Sequence, residues 1–110
     1  MNLAAKACAP CRAGTPPLPE REIHSLFAQL SGWEVVAGHH LRKEYRFRNY
    51  AEALHFVNRV GALAEQEQHH PELLLGWGKV ILELYTHAVG GLTENDFILA
   101  AKIDRLSPTA

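Results

Sequence analysis

Apolar and polar positions follow a helical period in the first folded segment of this chain. Between Pro19 and Leu30, the residues Ile23, Leu26 and Phe27, together with Leu30, have the i, i+3, i+4, i+7 spacing of one helix face. Proline suits a first helical turn, because its missing amide hydrogen would be unpaired there in any case. The spacing therefore predicts a first helix over about this segment.

Two later segments alternate between apolar and polar residues, which predicts strands. Residues 41–47 place Leu, Lys, Tyr and Phe on one side and Arg, Glu and Arg on the other, as in a strand with one solvated face. Residues 33–37 also have strand character and precede a turn, so the two segments form a predicted β-hairpin. Residues 73–75 and 79–87, joined by a glycine-containing turn, predict a second hairpin.

Two further helices carry start and stop signals. Asn49 is the predicted N-cap of the second helix, which Pro71 ends near His70 because proline disfavours a helical residue before it. Residues 93–96, Thr-Glu-Asn-Asp, resemble a capping box at the start of a third helix that runs to about Leu106. The apolar stripe predicted for the second helix consists of Tyr50, Leu54, Val57, Gly61 and Ala64, widened by Ala53, Phe56, Val60 and Leu63.

The order helix, hairpin, helix, hairpin, helix predicts the fold class. Two one-sided hairpins can join into a four-stranded antiparallel sheet, and three helices would then cover its apolar face. We therefore expect an α+β two-layer sandwich with the order α-β-β-α-β-β-α over residues 19–110. Residues 1–18 are rich in Ala and Pro and lack apolar periodicity, so we expect a flexible N-terminal tail there.

Composition and charge narrow the function classes. The chain has 110 residues, of which 47% are apolar and 21% charged, as in ordinary single globular domains. No apolar run approaches the roughly 20 residues that span a bilayer, and no secretory signal is present, so we expect a cytoplasmic protein without a membrane partner. Eleven basic and twelve acidic residues give a net charge of −1. That balance argues against direct nucleic-acid binding.

The two cysteines, Cys8 and Cys11, have the C-x-x-C spacing of half a zinc site or a redox pair. A structural zinc site needs four ligands, and the chain has no second cysteine pair. Because prolines surround the pair, we expect a reduced, mobile arm. A disulfide and a metal shared with another chain are the alternatives.

Seven histidines are many for this length, and three of them predict a site. His69 and His70 come at the predicted end of the second helix, where Glu65 lies one turn before His69 and would contact it. His87 lies at the predicted end of the last strand, which would return towards that loop, and Asp96 begins the next helix. Imidazoles exchange protons near neutral pH, so this cluster predicts general acid–base chemistry.

Three other interpretations use the same residues. A helix dipole alone favours histidines at a helix C-terminus, and Thr93 and Asp96 can simply cap a helix. Three histidines and a carboxylate can also bind zinc, but no H-x-H or H-x-x-x-H spacing is present. We therefore favour acid–base chemistry with neither a metal nor a cofactor.

The spacing of these residues resembles that of the pterin-4a-carbinolamine dehydratases. The family pattern is an acidic residue, three spacers, His-His-Pro, five spacers, an aromatic residue, nine spacers, His, eight spacers and Asp. It is met by Glu65, His69-His70-Pro71, Trp77, His87 and Asp96. The likeness covers about residues 19–106 and implies the same order of helices and hairpins.

The resemblance implies dehydration of a 4a-hydroxy-tetrahydropterin to the quinonoid dihydropterin, in tetrahydropterin recycling. It implies a catalytic role for His69, His70 and His87, with Glu65 and Asp96 in support. The same three histidines would bind the pterin together with Pro71, Thr86, Ala88 and Val89. It also implies a homodimer or homotetramer. The alternative is a non-catalytic relative with a protein partner, either a RuBisCO-type assembly factor or a dimerisation cofactor of a homeodomain transcription factor.

Overall fold

The structure is a computed structural model that describes residues 2–10 and 14–106. Its helices are α1 (Glu20–Phe27), α2 (Tyr50–Glu67) and α3 (Glu94–Asp104), and a short 3₁₀ helix spans Leu3–Ala5. Its strands are β1 (Glu34–Val36), β2 (His40–Arg46), β3 (Glu72–Leu75) and β4 (Lys79–Leu84). The predicted α-β-β-α-β-β-α order is confirmed. Cys11 lies outside the described residues.

The four strands form one antiparallel sheet in the order β1-β2-β4-β3. Each hairpin is formed by strands adjacent in sequence, and β2 joins the two hairpins by pairing with β4 from Leu41↔Leu84 to Arg46↔Lys79. The alternation along β4 places Val80, Leu82 and Leu84 on the core face, where all three are fully buried. The two-layer arrangement predicted from the alternation is therefore confirmed.

Helix α2 covers the sheet with a narrower stripe than the sequence predicts. Ala53, Phe56, Val60 and Ala64 are buried, whereas Tyr50, Leu54 and Gly61 of the predicted stripe are exposed. The nine apolar candidates span more of the helix circumference than a flat sheet can cover. The helix therefore turns its largest side chain, Phe56, inward and leaves one edge of the stripe in solvent.

Residues 2–10 pack on the domain, in contrast to the expected flexible tail. Leu3 is 3% exposed and belongs to the main hydrophobic core, and its 3₁₀ helix contacts α3. The Asn2 side chain caps that helix by accepting a hydrogen bond from the Ala4 amide at 3.0 Å. A single buried leucine in an alanine-rich segment produces no periodicity, so the hydrophobic pattern could not indicate this packing.

Helix α3 is covered on more than one side, by the other helices and by the N-terminal residues. Eight of its eleven residues are buried. Its start at Thr93 follows the predicted capping box, since the Thr93 amide donates to Asp96 Oδ2 at 2.9 Å. In the described part of the chain, no helix is both long and apolar enough to cross a bilayer.

Candidate active site

Helix α2 ends earlier than the proline alone predicts, and this sets the direction of the histidine rings. The helix stops at Glu67, and Gln68 adopts a left-handed conformation with φ 54°. The His69 amide then donates to the Ala64 carbonyl at 3.2 Å, which closes the helix end. His69 therefore lies beyond the helix, and the face relation between it and Glu65 no longer applies.

His69 contacts a buried carboxylate from the start of α3. Its Nε2 lies 2.6 Å from Asp96 Oδ1, with 12% of the His69 side chain and none of the Asp96 side chain exposed. Because a carboxylate only accepts, Nε2 carries the donated hydrogen and Nδ1 is left to accept a proton. In the described residues, no group hydrogen-bonds Nδ1. The contact thus selects the tautomer suited to a base.

Two threonines hold the Asp96 carboxylate in place. Its Oδ2 accepts hydrogen bonds from the Thr86 hydroxyl and from the Thr93 amide, each at 2.9 Å, and the two threonine hydroxyls lie 2.8 Å apart. Thr86 is 4% exposed, so this network is shielded from water. Asp96 therefore both caps α3 and orients His69, whereas the sequence analysis placed Glu65 beside His69 and gave simple helix capping as the alternative role of Asp96.

Glu65 pairs with His70 instead of His69, which makes the predicted Glu65–His69 contact wrong. Glu65 Oε2 lies 2.5 Å from His70 Nε2, and 72% and 55% of the two side chains are exposed. The left-handed Gln68 rotates the following residues, so that His70 comes back over the last turn of α2. An exposed pair of this kind orients a ring but adds little to stability.

His87 reaches the same region from the end of β4. Its ring packs on Tyr85 with centroids 4.3 Å apart, and its Nε2 lies 3.7 Å from Glu72 Oε1. The Thr86 amide donates to the Gly91 carbonyl at 2.8 Å, which closes the loop that carries His87. The sequence analysis did not single out Tyr85 as a support for His87, although residues i and i+2 of a strand, such as these two in the predicted strand 79–87, share a face.

The three histidines line one cleft of about 420 Å³. It is lined by Gln68, His69, His70, Pro71, Glu72, Thr86, His87 and Ala88. The three predicted catalytic histidines therefore converge, and Gln68 and Glu72 are additional lining residues that the sequence did not single out.

Two predicted residues lie elsewhere. Val89 does not line the cleft, and its amide closes the loop by donating to the Thr86 carbonyl at 3.0 Å. Trp77, the aromatic residue of the motif, is 70% exposed in the turn between β3 and β4. A larger cavity of about 1070 Å³ beside α1 and β1 contains none of the three histidines, so we assign the chemistry to the smaller cleft.

Metal coordination is not supported by the described residues. They contain no group of three or more His, Cys, Asp or Glu side chains arranged to hold a metal ion. Two of the relevant nitrogens already have carboxylate partners, since His69 Nε2 contacts Asp96 and His70 Nε2 contacts Glu65. What the cleft offers is a set of imidazoles oriented by carboxylates, an arrangement that can take and give protons.

The fold and the cleft define a small α+β domain with three histidines lining one cleft, and the comparison with known families is specific. The family model for pterin 4 alpha carbinolamine dehydratase matches residues 16–106, and the chain belongs to this family. A relative from Rubrobacter xylanophilus, named for the same dehydratase, is 57% identical over 105 residues, covering 96% of this chain and 98% of the relative. One from Alkaliphilus metalliredigens is 51% identical, covering 94% and 95%.

Two of the matching solved structures illustrate the shared fold. The crystal structure of a transcriptional coactivator/pterin dehydratase from Brucella melitensis is 30% identical with a TM-score of 0.74, covering 80% of this chain and 95% of that one. A pterin dehydratase-like protein identified as a RuBisCO assembly factor in the alpha-carboxysome is 26% identical with a TM-score of 0.56, covering 67% and 87%. These two proteins, which share the fold, are therefore described by different functions.

Proposed function

We propose that this chain removes water from a 4a-hydroxy-tetrahydropterin to give the quinonoid dihydropterin, by histidine general acid–base catalysis. The observation that carries the proposal is the convergence of His69, His70 and His87 on one cleft, with His69 hydrogen-bonded to the buried Asp96. Membership of the dehydratase family supplies the reaction, and the cleft supplies groups that suit it.

The reaction requires two proton transfers that balance each other. The C4a–O bond breaks as the hydroxyl receives a proton and leaves as water, while N5 loses its hydrogen and a C4a=N5 double bond forms. Each transfer needs a group that exchanges protons near neutral pH. One histidine acting as acid and another acting as base supply both transfers. After the reaction the acid has lost one proton and the base has gained one, and exchange with water restores both histidines.

We assign the base to His69. The Asp96 contact leaves Nδ1 as the accepting nitrogen and places a negative charge beside the imidazolium that forms when N5 gives up its proton. Because Asp96 is fully buried and held by Thr86 and Thr93, it needs no reorganisation during the reaction. A positioned base of this kind contributes roughly 10²–10⁴-fold to a rate.

We assign the acid to His87 and substrate orientation to His70. His87 sits across the cleft on Tyr85, with more than half of its side chain exposed, so its ring can exchange protons with solvent between turnovers. His70 is fixed by Glu65 at the rim and can donate to a pterin ring atom. Pro71, Thr86 and Ala88 complete the lining on either side.

The proposal is tested by measuring dehydration directly. The 4a-hydroxy-tetrahydropterin is supplied and the ultraviolet absorbance of the quinonoid product is followed without added metal. The wild type is expected to exceed the spontaneous rate, and His69→Ala and His87→Ala to lose roughly 10²-fold or more of kcat with an unchanged circular dichroism spectrum. A wild-type rate equal to the spontaneous one would remove the proposal.

The alternative is a binding protein without catalysis, and the likeness to the RuBisCO assembly factor favours it over other non-enzymatic functions. That protein shares the fold at 26% identity, so the fold alone does not separate the two functions. The intact histidine cleft supports the enzyme. Co-purification with a RuBisCO large subunit, combined with no dehydratase rate, would support the assembly factor.

We also infer that the chain forms a homodimer or homotetramer. Large apolar side chains remain exposed on α2 and on the second hairpin, which is an unfavourable surface for a monomer. They are Tyr50, Leu54, Leu73, Leu74 and Trp77. Strand β3 is moreover a sheet edge with backbone groups open to pairing. Light scattering after size-exclusion chromatography tests this, and a mass of about 12.2 kDa would contradict it.

A further inference from the structure

Residues 2–10, the N-terminal strap, cross the ends of the two helices that carry the His69–Asp96 pair. The strap is anchored by Leu3 in the core and by the Lys102 ammonium of α3, which donates to the Ala4 carbonyl at 3.0 Å. The family model begins at residue 16, so the strap lies outside the part of the chain that defines the family. The proposed mechanism does not use it.

Beyond its anchor, the strap is bonded to the end of α2. Glu67 is the last residue of that helix, two positions before His69, and its side chain is 10% exposed. Its Oε1 accepts a hydrogen bond from the Cys8 amide at 2.9 Å, and its Oε2 lies 3.6 Å from the Lys102 ammonium. The Cys8 amide, followed by the Lys102 charge, holds the pKa of Glu67 below its ordinary value. The strap thus binds a charged group next to the cleft.

The next strap residue is bonded to the start of α3. Asn95 precedes Asp96 and is 7% exposed. Its Oδ1 accepts from the Ala9 amide at 2.9 Å, and its Nδ2 donates to the Ala9 carbonyl at 2.5 Å. Burial raises the pKa of the Cys8 thiol to about 12, so the thiol remains protonated and donates to the Asn95 carbonyl at 3.6 Å. Two consecutive residues, Cys8 and Ala9, therefore join the two helix ends.

We propose that the strap positions the His69–Asp96 pair, with Glu67 and Asn95 as its positioning residues. His69 lies beyond the end of α2 on a left-handed cap, so its distance from Asp96 depends on the spacing of the two helix ends. The bridge through Cys8 and Ala9 sets that spacing. That the His69–Asp96 pair is catalytic rests on the function proposed above. That the strap fixes the distance between the two side chains does not depend on that function.

Kinetics of full-length variants give one test. Glu67→Ala and Asn95→Ala each remove one side of the bridge, and kcat is expected to fall about tenfold or more with little change in KM, since small misplacements of catalytic groups are costly. Glu67→Gln keeps the acceptor for the Cys8 amide and is expected to restore most of kcat. Lys6→Ala is the matched control, because it removes the exposed Lys6–Glu94 pair of the strap and leaves the bridge intact.

Nuclear magnetic resonance gives a second test that does not depend on activity. The His69 Nε2 hydrogen, bonded to Asp96, is expected to give a downfield signal in the wild type and in Lys6→Ala. It should move or broaden in Asn95→Ala and Glu67→Ala. If the wild type proved inactive, the proposed function would be wrong. Comparing the His69 signal of the wild type with that of the variants would still test whether the strap positions the pair.

The proposal is overturned by either of two results. One is an unchanged His69 signal in Asn95→Ala while hydrogen exchange at the Cys8 and Ala9 amides shows that the bridge has opened. The other is a Lys6→Ala variant that loses as much kcat and signal as the bridge variants, because the strap would then contribute only general stability. Should Glu67→Ala fail to fold, Asn95→Ala and Glu67→Gln still give both readouts.

Discussion

At the scale of single residues, the chemistry of the cleft depends on the hydrogen bond between His69 and Asp96. Among the carboxylate contacts of the three histidines in the described residues, this bond is shielded from water, since Asp96 is fully buried and His69 nearly so. The contacts of His70 and His87 with Glu65 and Glu72 involve side chains that are more than half exposed. The electrostatic effect of a carboxylate is largest where water is excluded.

Replacing Asp96 with asparagine is therefore expected to be severe for catalysis. The amide keeps the size of the side chain but removes the charge beside the His69 imidazolium, and it can present a donor where only an acceptor fits. We expect kcat to fall roughly 10²-fold or more, measured with the quinonoid product.

Asp104→Asn is the matched control for this change. Asp104 lies on the same helix and accepts from the Trp33 indole at 2.8 Å and from the Lys43 ammonium at 2.9 Å, away from the cleft. The Asp104→Asn variant should lose about 1–3 kcal/mol of its free energy of unfolding and keep the kcat of the wild type. Equal losses of kcat in both variants would mean that Asp96 acts only by stabilising α3.

Glu65 is expected to matter much less than Asp96. Its pair with His70 is exposed, so solvent screens the charge and substitutes for the hydrogen bond. We expect Glu65→Gln to change kcat by less than about fivefold and to act mainly on KM, because His70 orients the substrate. A loss comparable to that of Asp96→Asn would instead place Glu65 in the proton-transfer step.

The residues of the site show where sequence reasoning succeeds and where it stops. Convergence of His69, His70 and His87 followed from counting residues between helix end and strand end, since the hairpin has to return. Which carboxylate contacts which histidine could not be predicted from the sequence, because Gln68 adopts a left-handed conformation that its residue type does not indicate. Because of this one residue, Glu65 contacts His70 and not His69 as predicted.

At the scale of elements, the caps of α2 determine where the cleft lies. Asn49 Oδ1 accepts from the Glu52 amide at 2.9 Å at the start, as predicted from the sequence. Gln68 ends the helix one turn after Ala64. Both caps are local hydrogen bonds, so they fix the length of the 18-residue helix and the point at which the chain leaves it just before His69.

The N-cap gives a prediction about stability alone. Asn49→Ala should lower the free energy of unfolding by about 1 kcal/mol, since one helix amide loses its partner. Asn58→Ala, at an exposed position in the interior of α2, should leave stability unchanged or raise it by a few tenths of a kcal/mol. Denaturant unfolding measures both. Equal effects would show that the cap hydrogen bond contributes nothing.

The end of α2 carries a pH dependence through Glu67. Its pKa in the folded protein is lowered by the Cys8 amide and by Lys102, so its contribution to stability is present above the ordinary pKa of about 4.3 and is lost as the pH falls through the lowered value. We expect the stability of the wild type to fall more than that of Glu67→Gln between about pH 6 and about pH 3. Parallel pH profiles in denaturant unfolding would contradict this linkage.

At the scale of the whole molecule, alternation and helical periodicity were sufficient for the architecture. Both hairpins and all three helices appear in the predicted order, because each pattern reflects one buried face. The N-terminal strap was beyond these patterns. It is held by a single buried leucine and by backbone and side-chain hydrogen bonds between distant residues, such as Cys8 with Glu67, which have no local sequence signal.

The last prediction concerns the junction of the two hairpins, where β2 pairs with β4. At one end of this pairing the Phe47 amide donates to the Gly78 carbonyl at 2.8 Å, and a Cβ on Gly78 would lie 2.8 Å from the Phe47 carbonyl oxygen. Gly78→Ala should therefore push the strands apart and cost about 1–3 kcal/mol. Gly61→Ala is the matched control, because a Cβ there meets open space on α2 and should stabilise the protein by about 0.5–1 kcal/mol. If thermal unfolding showed the same shift for both variants, close approach of the backbones at Gly78 would not be what holds the hairpins together.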